Sequence, residues 1–166
     1  MRCYLNGLVC LGVAVVSLSC ASSSSGAAGG AEAAAYKKAL GTAALTDIVR
    51  QVPRIFNRYQ YEIERSDSSP SYLTVQTRWN GRYPLQDEIS AGVSEARTRL
   101  VLTARARARS GGTADVRVVE LLAQNMVLIG DSTGWREGVM TPMFKAYIDG
   151  IADVLKTELL TGVRVY

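Results

Sequence analysis

Gly130-Asp131-Ser132-Thr133-Gly134 has the spacing of a nucleophile elbow, a tight turn after a strand that presents a serine hydroxyl. The apolar run Met126-Val127-Leu128-Ile129 before it could be that strand. A serine nucleophile also needs a base to take its proton. The chain has no histidine, so the usual triad cannot form, and Lys145 or Lys156 would have to replace the imidazole. No helix is signalled directly after Ser132, and 166 residues are too few for the usual hydrolase sheet. The motif reads as a polar connection into the last helix. Asp87-Glu88 and Asp131 are the other candidates for acid–base or metal chemistry. They fall in polar stretches that nothing brings together, and they read as solvated loop charges. No catalytic residue, metal ligand or cofactor site is assigned, and the chain is not expected to be an enzyme.

The feature with most binding potential is a row of arginines. Between Ala96 and Arg109 one parity is Ala96, Thr98, Leu100, Leu102, Ala104, Ala106 and Ala108; the other holds Arg97, Arg99, Val101, Thr103, Arg105, Arg107 and Arg109. Alternation of this kind is a strand signal, and side chains two apart share a face about 7 Å from one another. Arg97, Arg99, Arg105, Arg107 and Arg109 would form a strip of positive potential able to dock an anionic lipid, glycan or protein patch. The plainer reading is a solvated face with weak surface pairs to Asp115, Glu62 or Glu64. Trp79 and Trp135 could stack on a sugar or line an interface; packing at the sheet ends is the simpler role.

Composition narrows the classes further. Cys3, Cys10 and Cys20 are the only cysteines, so nothing beyond residue 20 can form a disulfide framework or a Cys/His zinc site. The net charge is +4, and without Arg2 it is +3, too mild to suggest nucleic-acid binding.

These residues need elements to position them. Leu45, Ile48, Val49, Val52 and Phe56 mark a helix over 42–56, with a bend or break near Val52 because Pro53 falls inside it. Tyr59, Tyr61 and Ile63 alternate with polar residues, as do Leu73, Val75, Thr77 and Trp79, and Asp67-Ser68-Ser69-Pro70 turns between them. Residues 82–94 read as a long polar loop. The arginine strand should turn through Ser110-Gly111-Gly112, setting Ala106 opposite Val116, Ala104 opposite Val118 and Arg107 opposite Asp115. Glu120 interrupts the apolar parity of the next strand, which predicts a bulge or twist there. Thr141 caps a last helix opened by Pro142, with Phe144, Tyr147, Ile148, Ile151, Leu155 and Leu159 buried and Gly162 at its end. The predicted fold is α+β: helix, a four-stranded antiparallel sheet of two hairpins, helix, with both helices on one sheet face.

The first thirty-five residues read as an address. Arg2, the apolar run Leu8–Val16 and a small-residue ending have the form of a secretory signal, too short for a permanent span. Ser17-Leu18-Ser19-Cys20 resembles the lipobox of bacterial lipoproteins, which implies cleavage before Cys20 and its acylation. Cleavage further along is the alternative. The organisation is then a signal peptide over 1–19, a lipidated cysteine with an Ala/Ser/Gly tether over 20–35, and one domain over 36–166. Ala21 after the cysteine resembles the family's default sorting, which implies an outer membrane and a periplasm-facing domain. The element order, the Ile63…Asp67…Thr77…Trp79 pattern, Trp135 before the last helix and the lipobox together resemble the helix-grip domains of outer-membrane assembly lipoproteins, such as the C component of the β-barrel assembly machine. That resemblance implies an accessory or scaffold role with an envelope protein partner. The alternative is a module that binds an anionic lipid, glycan or protein through the arginine face.

Overall fold

The computed structural model describes residues 35–107, 116–130 and 134–160. The signal peptide, Cys20, most of the tether, Arg109, Asp115, Asp131, Ser132, the turn at 110–112 and Gly162 lie outside the described residues.

The fold is α+β, built on a large antiparallel sheet. The order is β1 (Ala35–Ala44), α1 (Leu45–Arg58), β2 (Ile63–Ser68), β3 (Tyr72–Thr77), β4 (Asn80–Arg82), α2 (Gln86–Ser90), β5 (Val93–Ala106), β6 (Val116–Ile129), β7 (Arg136–Glu137) and α3 (Pro142–Leu160). Across the sheet the strands run β1-β6-β5-β3-β2, with β4 added to β5 and β7 to β6. Among the described residues the sheet therefore has seven strands, not four. The additions are β1, β4 and β7.

β1 hides from a periodicity reading because it changes parity in its middle. Tyr36 and Lys38 pair with Ala123 and Leu121 of β6; after a bulge between Ala39 and Gly41, Gly41 and Ala43 take over that face opposite Val119 and Arg117. Gly41 has a φ of +105°, which an L side chain resists. The irregularity expected at Glu120 of β6 is thus on the partner strand, because Ala39 pairs with Glu120 immediately before the shift.

α1 buries Ile48, Val52, Ile55 and Phe56 and leaves Val49 exposed. It runs through Pro53 without the predicted break. The missing N–H falls opposite Val49, on the side where water can satisfy the carbonyl. Gln60 (φ +61°) ends the helix in a Schellman arrangement: its N–H bonds the Asn57 carbonyl at 3.0 Å, and the Tyr61 N–H bonds the Phe56 carbonyl at 2.8 Å. α3 begins as its sequence predicts, with the Thr141 hydroxyl accepting the Phe144 N–H at 3.2 Å. Its buried stripe is Phe144, Ile148, Ile151, Ala152, Leu155 and Leu159, with Tyr147 half-buried.

α1 and α3 pack with Leu73, Val75, Leu100, Leu102, Ala104, Val119, Leu121 and Ala123 into one core on the inner sheet face. Each large apolar side chain taken from water there contributes about 1.5–3 kcal/mol. β5 and β6 pair one residue out from the predicted register: Ala104 faces Val119 and Ala106 faces Arg117. The inner face of β6 is therefore Arg117, Val119, Leu121, Ala123, Asn125 and Val127. Arg117 can be buried there because its guanidinium donates to the carbonyls of Ser69 and Pro70, both at 3.3 Å, in the β2–β3 turn. Glu120 lies on the outer face beside Thr103.

Candidate functional site

No described helix covers the outer sheet face. Arg97, Arg99, Val101, Thr103 and Arg105 of β5 point outward there, beside Glu120, Leu122, Gln124 and Met126 of β6. The arginines do not form one continuous strip. Arg97 and Arg99 sit half-buried at one end, whereas Arg105 and Arg107 are exposed six to ten residues along, about 20 Å away or more.

The first end is built around tryptophan. The Arg97 guanidinium lies 4.2 Å from the Trp135 ring centre and 5.1 Å from that of Trp79; Arg99 lies 4.6 Å from Trp79. A cation over an indole face is held by the ring quadrupole. Arg99 Nε also donates to Gln124 Oε1 at 2.8 Å. Arg97 Nε is buried and has no hydrogen-bond partner. Buried donors are nearly always paired, so an orphan marks a place where an acceptor is wanted.

Trp79 reaches this face through a bulge. From Gln76 to Asn80 the chain advances four residues, while its partners on β5, Val101 to Thr98, advance three. Arg78 and Trp79 thus share the place opposite Arg99, and the parity that buries Leu73, Val75 and Thr77 inverts before Trp79. Thr77 secures the step: its hydroxyl accepts the Leu100 N–H at 3.0 Å. Trp79 is therefore a surface stacking residue, not a continuation of the core face.

Beside the stack an open cleft of about 480 Å³ is lined by Trp79, Tyr83, Pro84, Glu95, Arg97 and Trp135, among others. Tyr83 is 94% exposed at its rim. Volume and lining suit a small ligand or a headgroup-sized fragment.

A buried polar cluster holds the cleft wall from behind. Arg82 donates to both Glu88 carboxylate oxygens at 2.7 Å, to Asn125 Oδ1 at 2.9 Å, to Thr98 Oγ1 at 3.0 Å and to the Tyr83 carbonyl at 3.1 Å. Those five bonds use every N–H of the guanidinium, and its plane lies over the Phe144 ring at 5.2 Å. Glu88 is 2% exposed and also accepts from the Leu85 N–H and from Asn125 Nδ2. Burial opposes its charge; the bonds from Arg82, Leu85 and Asn125 outweigh that and hold the carboxyl below its usual range. Asp87 is engaged as well, accepting the Met143 N–H at 3.1 Å in the first turn of α3. Asp87 and Glu88 are thus structural links within 82–94, not solvated loop charges, and the stretch holds the end of β4, the helix α2 and the start of β5.

Arg82 and Asn125 carried no separate sequence signal, and Glu88 stood out only as half of the Asp87-Glu88 pair. Asn125 on the buried parity of β6 would have been a clue only with the register known. Of the arginines singled out, the structure brings Arg97 and Arg99 together with both tryptophans and leaves Arg105 and Arg107 apart. Lys145 and Lys156 are both exposed on α3. No protein family, curated protein or solved structure matches the chain.

Proposed function

We propose that the chain is a non-enzymatic envelope lipoprotein, anchored through Cys20, whose folded domain serves as an accessory binding module for an anionic partner. The observation that carries this reading is the Arg99–Trp79–Arg97–Trp135 stack beside an open cleft on the uncovered sheet face. Two half-exposed guanidiniums, pre-positioned by indole rings, lose little freedom when an anion arrives. The buried Arg82–Glu88–Asn125 cluster has every strong donor engaged, so it supports the site and does not compete for the ligand.

The reading is tested with the protein's own fluorescence. Its two tryptophans, Trp79 and Trp135, both line the cleft. Titration with a soluble polyanion such as inositol hexakisphosphate should change tryptophan emission saturably, weaken with added salt, and fail in Arg97→Gln/Arg99→Gln. An emission response that survives the double substitution contradicts the reading.

A scaffold role with a protein partner is the second reading. Ile89, Val139 and Met143 are apolar and exposed in and around α2 and the start of α3. Cross-linking in the native membrane should recover one stable partner that is lost with Val139→Asp; recovery unaffected by that change counts against it.

A further inference from the structure

The place where the chain joins the sheet says which anionic partner the cleft meets. Ala35, the first described residue, pairs with Gln124 of β6, and Gln124 pairs with Arg99 of β5. Ala35 and Arg99 are thus two strands apart in one row, about 10 Å between backbones. β5 occupies one edge of β6 from Arg117 to Ile129, so β1 and β7 share the other edge. There Glu137 pairs with Met126, and the Gly138 N–H bonds the Asn125 carbonyl, one rung from Ala35. Trp135 stands two residues before Glu137. The stack therefore lies at the end of the sheet where the chain arrives, while Ala44, at the other end of β1, lies about 30 Å further along.

Fourteen residues lie between Cys20 and Ala35, and fully extended the fifteen steps cover at most about 50 Å. An acyl chain on Cys20 would keep this end of the domain within reach of the bilayer. An anchor so near the cleft raises the local concentration of bilayer surface around it, and the cleft has the composition of a bilayer-facing patch. Trp and Tyr prefer the headgroup level of a bilayer, where an apolar ring and a polar edge are both satisfied; Trp79, Trp135 and the protruding Tyr83 are all at this end. Arg97 and Arg99 bring two positive charges to this face, with Glu95 and Glu137 at its rim, while Arg78 beside Trp79 is paired with Glu62 at 3.8 Å. Basic side chains near an anionic leaflet add attraction that falls off within a Debye length.

We infer that the partner of this cleft is a bilayer surface carrying anionic phospholipid headgroups, the surface in which the Cys20 acyl chain would insert. Arg97 and Arg99 take the headgroup phosphates, and Tyr83, Trp79 and Trp135 settle at the interface. This rests on the reading of the cleft as an anion site and names its occupant.

The test uses the full chain with Cys20→Ser, so that no acyl chain contributes. It is mixed with vesicles of phosphatidylcholine alone or with phosphatidylglycerol, each with lipids brominated near the top of the acyl chain. Expected are a blue shift and bromine quenching of tryptophan with the anionic vesicles, weaker by at least about tenfold with neutral vesicles and with Arg97→Gln/Arg99→Gln. Tyr83→Ala, at a rim position too exposed to affect folding, should weaken the effect several-fold. Vesicle association without tryptophan quenching would come from the apolar segment 8–16 and overturns the inference. So does equal quenching by neutral vesicles. Soluble glycerophosphate at matched phosphate concentration separates the sources: a response to it as strong as to vesicles overturns the lipid assignment while leaving the anion site standing. No response to either removes both.

Discussion

Arg82 and Arg97 are near neighbours with opposite fates. Gly81 pairs with Arg97 and Arg82 with Ala96, so the two arginines sit one residue out of step on adjacent strands and point to opposite faces. Arg82 is turned inward and has all five donors bonded, two of them to the Glu88 carboxylate. Arg97 is turned outward, held by two indole faces and left with an unpaired Nε. The same side chain acts as a structural bolt on one face and as a poised binding group on the other. Placement relative to acceptors, not residue type, decides which.

Breaking the inward arginine should have the largest effect. Glu88→Gln leaves the Arg82 charge buried without its counter-ion and should cost about 3–5 kcal/mol, read as a fall in urea midpoint at pH 7. A change below about 1 kcal/mol would mean that water already reaches the pair. The same carboxylate sets an acid dependence. Its folded pKa is depressed, so its contribution is complete above the ordinary carboxylate value of about 4.3 and is lost as pH falls through the lower folded value. The urea midpoint should be level from about pH 7 to 5 and fall below about pH 4. In Glu88→Gln the acid fall should be smaller.

Gly138→Ala tests the cluster from the residue that follows β7. A Cβ there would stand 2.5 Å from Asn125 Nδ2 and 2.9 Å from Val127 Cγ1. Overpacking of this kind costs about 1–3 kcal/mol. Displaced Asn125 should also loosen Glu88, bringing its folded pKa back toward the ordinary value, visible as a shallower loss of stability in acid. Arg105→Gln and Arg107→Gln should do least, within about 0.5 kcal/mol in stability because both side chains are exposed. Anion-induced tryptophan emission should be unchanged in both. A loss of that response would restore the continuous arginine strip.

Much of the frame is legible in the amino-acid sequence. Thr141-Pro142 announced α3 because cap and first-turn proline are local signals, and fourteen alternating residues announced β5. What failed was non-local. β1 escaped because the bulge at Leu40 exchanges its faces and Ala and Gly carry little strand preference. The β5–β6 register slipped by one because Leu121-Leu122 makes both parities apolar, and the deciding residue, Arg117, is bonded inside to carbonyls of a distant turn. Trp79 followed the core parity in sequence and left it through an extra residue opposite Arg99. Arg97 and Arg99 were visible as candidates; that two tryptophans would frame them, and that Glu88 would be buried behind, depended on pairings between β4, β5, β6 and β7.

The central claim is that Arg97 is held for a ligand and Arg82 for the fold. Isothermal titration of the full chain and of Arg97→Gln with inositol hexakisphosphate addresses it most directly. The account predicts saturable binding by the unsubstituted chain and at least about tenfold weaker binding by Arg97→Gln, a loss of the size expected for one charge-assisted bond. Equal affinity in the two proteins would contradict it.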